Sequence, residues 1–320
     1  DPEKLARISS PCQNTEIVDC HTIKPFSIRE LCAFPHTIVK QINKTSLFYS
    51  PYFNIPAGIT IPVYTTIHDI IFPDMPELTS PHGLAARMWF YRRAFRRSKK
   101  IFTVSEFSKS RIRYYLGSGK PVVVTYNAAQ SYLLEPFSYP PEKKDIILFI
   151  GNIKKHKGLS CLLDAFLKAR NEGLNSRLVI AGGMENFRSR DSDVLRRVDS
   201  LDKEVVEFTG FIPNEKLKSL LAEAALLVQP SLYEGFGYPP LEAMMVGTSA
   251  LISDIPVFRE VYGSFPVTFF KAGDSGDLKE KLLFLLRDQK YQGLTLPQEL
   301  VEKYSFKKTA GIILKELEKS

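Results

Sequence analysis

The sequence predicts an α/β protein of two doubly wound, Rossmann-like domains that face each other across a cleft. Short apolar segments alternate with helical patterns along the chain, which is typical of parallel sheets covered by helices. The 320 residues exceed what one hydrophobic core usually accommodates. A proline-rich, charged stretch at 135–144 lies between two sets of strand-like segments and predicts a linker. We therefore expect a first domain over 1–142 and a second over 143–305.

Hydrophobic periodicity places the individual elements. One helix is expected at 239–246, with a proline near its first turn. Another is expected at 307–318, close to the end of the chain. The predicted strands are 16–19, 46–50, 63–67, 100–104 and 122–125 in the first half, and 146–150, 177–181, 205–209, 226–229 and 249–253 in the second.

The composition is typical of a globular protein, and the net positive charge suits an acidic partner. Hydrophobic residues make up 44% and charged residues 24%, and the formal net charge is +8. This charge suits a nucleotide or an anionic lipid, whereas no recognised nucleic-acid motif accompanies it. No apolar run approaches the roughly 20 residues needed to span a bilayer. The four cysteines lack metal-ligand spacing, which favours a reducing, cytoplasmic compartment.

The segment 234–242 is the most informative part of the chain. Glu234 and Glu242 bracket a glycine-containing loop between a predicted buried strand and a predicted helix. Free amides at such a helix N-terminus form an anion site. Two carboxylates would repel a bare phosphate, so we expect them to bind the hydroxyl groups of a sugar and a ribose. The pattern indicates a nucleotide-sugar, and the alternative is one capping and one surface glutamate.

This Glu-x7-Glu segment, with Gly-Phe-Gly after the first acid, resembles the retaining glycosyltransferases of family 4, which are mannosyltransferase-like group 1 enzymes with the GT-B fold. The resemblance implies that Glu234 lies beside the donor sugar and that Glu242 holds the ribose hydroxyls. It also implies contacts from the loop to sugar and diphosphate. The loop residues concerned are Gly235, Phe236, Gly237 and Tyr238.

The resemblance has two further implications for the domains. The terminal segment 306–320 is expected to cross back to the first domain, as in GT-B proteins. The family also has a first strand and loop before its His-Asp motif, and fewer residues are available for them here. The first domain is therefore expected to lack that piece, and the alternative is a divergent, shorter domain.

A basic turn follows the first predicted strand of the second domain. Gly151 permits a tight turn and close approach of a ligand to the backbone. Lys157 matches the lysine that neutralises the diphosphate in the family. The family's arginine position is occupied by Asn152 or His156, which is a departure from the pattern. The alternative for the whole turn is a solvated basic surface.

Three other strand ends are expected to border the donor. Gly183 follows strand 177–181, and Phe211 and Ile212 follow strand 205–209. In similar enzymes these loops border the nucleobase. His68 ends strand 63–67 and falls where similar enzymes place a histidine at the donor sugar. Without the resemblance, His68 would be read as a structural histidine.

A basic, aromatic-rich stretch at 87–100 predicts an amphipathic helix. Its charged face suits an anionic membrane surface or an acidic acceptor, which would place the protein peripherally at the inner face of a membrane. The alternative is a solvated helix with snorkelling side chains. The basic residues are Arg87, Arg92, Arg93, Arg96, Arg97, Lys99 and Lys100.

The expected reaction is retaining transfer of a hexose from GDP-mannose or a UDP-hexose to a glycan or lipid-linked acceptor in polysaccharide or lipopolysaccharide biosynthesis. Glu234, His68 and Lys157 are the expected catalytic residues. Asp191 and Asp193 are interpreted as helix-start residues, so neither a metal nor another cofactor is expected. The alternatives are a sugar phosphorylase or sugar-phosphate synthase on the same fold, and a non-catalytic nucleotide- or glycan-binding subunit.

Overall fold

The structure, a computed structural model, describes residues 18, 23, 27–135, 137, 142–183, 192–288, 294 and 296–319. Over these residues the chain forms two separate sheets, in which every strand pairing is parallel, with helices packed against them. The predicted α/β class with two parallel sheets is confirmed. Among the described residues, no helix is long and apolar enough to cross a membrane.

The first sheet has the strand order β1-β2-β3-β4. Its longest helix begins with Pro81 at the first position, after Ser80 has accepted a hydrogen bond from the Gly83 amide, which is a favourable helix start. The strands are β1 (Phe48–Ser50), β2 (Val63–Thr66), β3 (Ser98–Thr103) and β4 (Val122–Val124). The helices are α1 (Ile28–Cys32), α2 (His36–Ile42), α3 (Ile71–Asp74), α4 (Pro81–Arg97) and α5 (Glu106–Leu116), with short 3₁₀ turns at Pro76–Leu78 and Ser131–Leu134.

The second sheet contains the remaining six strands. They are β5 (Lys144–Ile150), β6 (Arg177–Ala181), β7 (Val206–Gly210), β8 (Ala224–Gln229), β9 (Ser249–Ser253) and β10 (Thr268–Phe270). The helices are α6 (Leu159–Asn171), α7 (Ser192–Ser200), α8 (Asn214–Glu223), α9 (Tyr238–Met245), α10 (Pro256–Tyr262), α11 (Ser275–Leu283), α12 (Gln298–Lys303) and α13 (Phe306–Glu318), with a 3₁₀ turn at Lys155–Lys157 and a π-helical turn at Phe284–Asp288.

The strand order β10-β9-β8-β5-β6-β7 is that of a doubly wound dinucleotide-binding sheet. The chain runs outward from β5 to β7, then returns to add β8 on the other side of β5. This reversal leaves a crevice beyond the carboxyl ends of β5 and β8. In open α/β sheets ligands bind at such a crevice.

The strand predictions are correct within two residues wherever the structure describes the chain. One described strand, β10, was missed. The predicted strand 16–19 lies outside the described residues except for Val18, which has no regular secondary structure. The helix predicted at 239–246 spans Tyr238–Met245.

Buried apolar side chains cover both faces of the second sheet and one cluster fills the first domain. The first-domain cluster is built on Val63, Ile67 and Ile101, with Tyr91 from α4 packed over them. Helix α13 reaches the first sheet, since Lys100 Nζ donates to the Glu316 backbone carbonyl at 2.9 Å and lies 2.8 Å from its carboxylate. The terminal helix therefore contacts β3 of the first domain.

Candidate active site

A pocket of about 390 Å³ lies between the two domains. Its first-domain wall is mostly aromatic and apolar, whereas its second-domain wall is polar and charged. The first domain contributes Tyr52, Phe53, His68, Asp69, Ile71, Phe72, Leu78 and Tyr91, and the second contributes Asn152, Lys154, His156, Lys157, Tyr233, Glu234 and Gly235. Such a lining suits a ligand with an anionic end and a less polar end.

The basic turn after β5 is held against the loop after β8 by backbone contacts. Gly158 has a left-handed φ of 69°, and a Cβ at this position would lie 1.9 Å from the Pro230 carbonyl oxygen. Only glycine fits there, since the turn presses directly on the neighbouring chain. The Leu232 amide also donates to the His156 carbonyl at 2.7 Å. Lys157 and Glu234 are thus brought to the same crevice.

Glu234 lies at the centre of this crevice with its side chain 9% exposed. Its Oε1 accepts from Lys157 Nζ at 2.7 Å and from Ser231 Oγ at 2.8 Å. Gln229, the last residue of β8, donates to Ser231 in turn at 3.0 Å. The carboxylate is therefore linked to a short chain of polar groups that begins at the strand end.

His68 faces Glu234 from the first domain. Its Nε2 lies 3.0 Å from the Pro51 carbonyl oxygen, which can only accept a hydrogen bond. An N–H on Nε2 satisfies this contact, and in that tautomer Nδ1 is the acceptor. An acceptor nitrogen at this position is suited to a sugar hydroxyl.

Asp69 and Gly235 show how closely the domains approach at this point. A Cβ on Gly235 would lie 3.0 Å from the Asp69 Cβ and 3.1 Å from the His68 carbonyl oxygen. Burial raises the pKa of Asp69, and its Oδ1 accepts from the Ile71 amide at 3.2 Å. The glycine thus allows the Glu234 loop to contact the His68–Asp69 turn.

His156 is a pocket residue that the sequence analysis noted only as a candidate for the arginine position. It is 8% exposed, and its buried Nδ1 has no hydrogen-bond partner among the described residues. Burial, with Lys157 nearby, lowers the pKa of His156 to about 4, so the ring is neutral at pH 7. The basic turn therefore presents Lys157 and Lys154 as its cations and His156 as a neutral ring.

Glu242 lies apart from Glu234 and outside the lining of the interdomain pocket. It is 7% exposed, on the second turn of α9, and burial raises its pKa to about 7. The aromatic side chains of Tyr132 and Tyr238 are electrostatically coupled to it. The two acids of the motif therefore mark two regions along one crevice.

The other predicted donor contacts are distributed around the same edge of the sheet. Gly151 and Asn152 follow β5, with Asn152 in the pocket lining, and Gly183 lies near the Asn152 side chain. Phe211 follows β7 with 85% of its side chain exposed, whereas Ile212 packs partly against the core. An exposed aromatic ring at this strand end is available to stack on a base.

The loop before α9 contributes mainly backbone atoms, rather than side chains, to the crevice. The Phe236 ring is buried in the core, and Tyr238 is partly buried against it. The Tyr262 hydroxyl donates to the Gly237 carbonyl and accepts from the Leu241 amide. These contacts fix the N-terminal end of α9, where Pro239 and Pro240 have no N–H to donate.

The amphipathic helix predicted at 87–100 is α4, but it ends at Arg97, and Lys99 and Lys100 lie in β3 instead. Part of the basic face of α4 is used within the first domain. Arg87 donates to Thr79 and to the Gly83 carbonyl, while Arg93 donates to the Ile55 carbonyl at 2.6 Å. Arg97 donates to the Ile59 carbonyl. Arg92 and Arg96 are exposed, together with Trp89 at 47% exposure.

The aromatic wall of the pocket was not identified from the sequence. Tyr52 and Phe53 follow β1 directly, so their position at the carboxyl end of a parallel strand was an available signal. Phe72, Leu78 and Tyr91 come from helices, and no local pattern distinguishes them from core residues. Asp191, of the pair interpreted as a helix start, lies outside the described residues, and Asp193 lies in α7.

Residues 134–302 match the family described as glycosyl transferases group 1, and the chain belongs to that family. It is 27% identical over 277 residues to O-antigen chain mannosyltransferase B of Escherichia coli, covering 82% of this chain and 71% of that protein. It is 30% identical over 201 residues to O-antigen chain mannosyltransferase RfbU of Salmonella typhimurium, covering 61% of this chain and 53% of that protein.

Solved structures with the same architecture confirm the GT-B fold. Anabaena HepE, solved in complex with UDP and glucose, superposes with a TM-score of 0.72 at 17% identity. The match covers 89% of this chain and 81% of HepE. The predicted membership in the group 1 glycosyltransferases and the predicted fold class are thus both confirmed.

Proposed function

We propose that this protein transfers a hexose from a nucleoside diphosphate to a hydroxyl of a glycan or lipid-linked acceptor, with retention at the anomeric carbon, during synthesis of an O-antigen-like polysaccharide. The mannosyltransferase relatives favour GDP-mannose as donor. A UDP-hexose is the second candidate, because HepE has been solved with UDP and glucose.

The observation that carries this proposal is the Lys157–Glu234 pair at the crevice between β5 and β8, opposite His68. A cation for the diphosphate and a carboxylate for sugar hydroxyls are adjacent there. His68 lines the same pocket from the other domain. This arrangement suits a ligand that is both anionic and rich in hydroxyls.

In the proposed reaction the bond between the sugar C1 and the phosphate oxygen breaks, and a bond forms between C1 and the acceptor oxygen on the same face. The acceptor proton passes to the departing diphosphate. Lys157 and the amides near Gly237 stabilise the negative charge that develops on the leaving group. Glu234 and His68 orient the sugar, and Glu242 holds the ribose.

The charge arrangement is also the basis for proposing that no metal is required. Lys157 and Lys154 both line the crevice, and two ammonium groups there can balance the charge of a diphosphate. We further propose a peripheral position at the inner face of a membrane, with Trp89, Arg92 and Arg96 of α4 as the contact. Both proposals are tested below.

Release of nucleoside diphosphate from a panel of GDP-mannose, UDP-glucose and UDP-galactose tests the proposed function. We expect one donor to be hydrolysed slowly, and Glu234→Gln to lower that rate at least about tenfold. The anomeric configuration of a transferred product, read by NMR, tests retention. If the protein instead consumes inorganic phosphate and a glycan and releases a sugar phosphate, it is a phosphorylase. Binding without turnover of any donor would indicate a non-catalytic subunit.

A further inference from the structure

Both residues that flank Glu234 are bonded to the first domain, while Glu234 itself is bonded within the second. The Tyr233 hydroxyl donates to Asp74 Oδ2 at 2.9 Å, at the end of α3. The Gly235 carbonyl oxygen accepts from Ser105 Oγ at 2.7 Å, before the start of α5. Three consecutive residues thus make bonds to both domains.

The first-domain partners are themselves held firmly. Arg111 Nε donates to Asp74 Oδ2 at 2.9 Å, and the Tyr115 hydroxyl lies 2.8 Å from Oδ1. Ser105 is fully buried and accepts from the Ser108 amide at 3.0 Å as the cap of α5. Neither partner can follow the Glu234 loop if the domains separate.

Other contacts at the same interface also join the region of Glu234 to the first domain. The Tyr233 ring packs edge-to-face on Phe107 of α5, with ring centroids 5.4 Å apart. From the second domain, the Glu260 carboxylate accepts from the backbone amides of Glu106 and Phe107, both at 2.7 Å. The first turn of α5 therefore packs against the second domain next to Tyr233.

From this geometry we propose that docking of the first domain sets the orientation of Glu234, with Tyr233 and Ser105 as positioning residues. With the domains together, the flanking bonds fix the backbone on both sides of Glu234. With the domains apart, the nucleotide is bound by the second domain but Glu234 is not aligned with the sugar. The inference rests on the proposed role of Glu234 in sugar transfer.

The test compares Tyr233→Phe with Tyr115→Phe. Each variant removes one tyrosine hydroxyl that donates to Asp74. Of these two tyrosines, only Tyr233 connects the two domains. The phenylalanine at position 233 keeps the ring contact with Phe107. We expect Tyr233→Phe to lower kcat for hydrolysis of GDP-mannose roughly three- to tenfold. The dissociation constant for GDP and the activity of Tyr115→Phe should stay close to wild type. Equal losses in both variants would show that Asp74 is merely structural and would overturn the inference.

Hydrogen–deuterium exchange of the amides at 231–237 provides a readout that needs no donor. We expect faster exchange there in Tyr233→Phe than in wild type, and no change in Tyr115→Phe. Unchanged exchange in Tyr233→Phe overturns the inference whatever the activity shows. If Glu234→Gln keeps full activity while exchange rises as expected, the proposed role of Glu234 fails, whereas the docking of its loop stands.

Discussion

Lys157 Nζ lies 2.7 Å from Oε1 of Glu234, although 77 residues separate the two in the chain. The contact joins the turn after β5 to the loop after β8, which are the neighbouring strands where the sheet order reverses. Each charge lies in a largely buried setting and is neutralised by the other. In the proposed function a bound diphosphate would compete with Glu234 for Lys157, so nucleotide binding would be coupled to the freedom of Glu234 to bind sugar hydroxyls.

Lys157→Gln is expected to weaken binding of the nucleoside diphosphate. Loss of charge-assisted hydrogen bonds to phosphate costs roughly 1.5–3 kcal/mol, which corresponds to roughly 10- to 150-fold in affinity. Calorimetry with GDP and UDP measures the change. Lys155→Gln is the matched control, because Lys155 lies in the same turn and is exposed. Equal weakening by both substitutions would mean that only the overall charge of the turn matters.

The position of Lys157 could be predicted because its signal is local. A strand, a glycine turn and a following helix identify the carboxyl edge of a parallel sheet, where the ligand of such a sheet binds. The same reasoning gave Glu234, Gly183 and Phe211. Tyr233–Asp74 and Ser105–Gly235 could not be predicted, because they depend on how two separately folded sheets meet, and no local pattern encodes that.

Glu242 is expected to make the stability of the protein pH-dependent. Burial raises its pKa to about 7, above the ordinary value of a glutamate. Between pH 4.5 and 7 the folded state holds a proton that the unfolded state has lost, so the free energy of unfolding falls as pH rises through this window. Glu242→Gln removes this loss and should raise the free energy of unfolding at pH 8 by up to roughly 3 kcal/mol. Urea titrations of wild type and variant at pH 4.5 and 8 measure the free energy of unfolding. If the two proteins differed by the same amount at both pH values, the raised pKa of Glu242 would be contradicted.

The ionised form of Glu242 is also the form that accepts hydrogen bonds from both ribose hydroxyls. We therefore expect Glu242→Gln to weaken GDP binding about tenfold or more at pH 8 and by less at pH 6. Since the diphosphate titrates as well, the wild type and the variant are compared at each pH. An effect independent of pH would place Glu242 away from the ribose.

Gly158→Ala is expected to destabilise the second domain and to displace Lys157. A Cβ at this position would lie 1.9 Å from the Pro230 carbonyl oxygen, and φ is 69°. A loss of roughly 2–4 kcal/mol is expected, as for an alanine forced into a backbone conformation it disfavours and into a clash. Gly311→Ala is the control, because Gly311 lies in α13 with open space around its Cα. That substitution should be neutral or stabilising in thermal unfolding.

Removal of divalent cations is expected to leave donor hydrolysis largely unchanged. Lys157 and the backbone amides near Gly237 carry the diphosphate charge in the proposed mechanism. Assays in excess EDTA, followed by addition of Mn²⁺, measure the dependence. Complete loss in EDTA with recovery in Mn²⁺ would assign the reaction to a metal-dependent mechanism.

The exposed part of α4 is expected to bind anionic membranes. Arg93 and Arg97 donate to backbone carbonyls of the first domain, whereas Arg92 and Arg96 are exposed beside Trp89, an aromatic residue suited to a membrane interface. Each basic residue near an anionic surface contributes about 1 kcal/mol, so Arg92→Gln with Arg96→Gln should lower partitioning roughly 25-fold.

Sedimentation with vesicles of phosphatidylcholine and phosphatidylglycerol measures this partitioning. Binding should weaken steeply with salt, because exposed charges are screened within about 10 Å at 0.1 M salt. Lys203→Gln with Lys216→Gln makes the same charge change on exposed residues of the second domain and should leave partitioning nearly unchanged. Nucleotide affinity should be unaltered in both double variants. If the wild type does not sediment with these vesicles even at low salt, α4 is an ordinary solvated helix, and the lipid-linked acceptor must be recognised elsewhere.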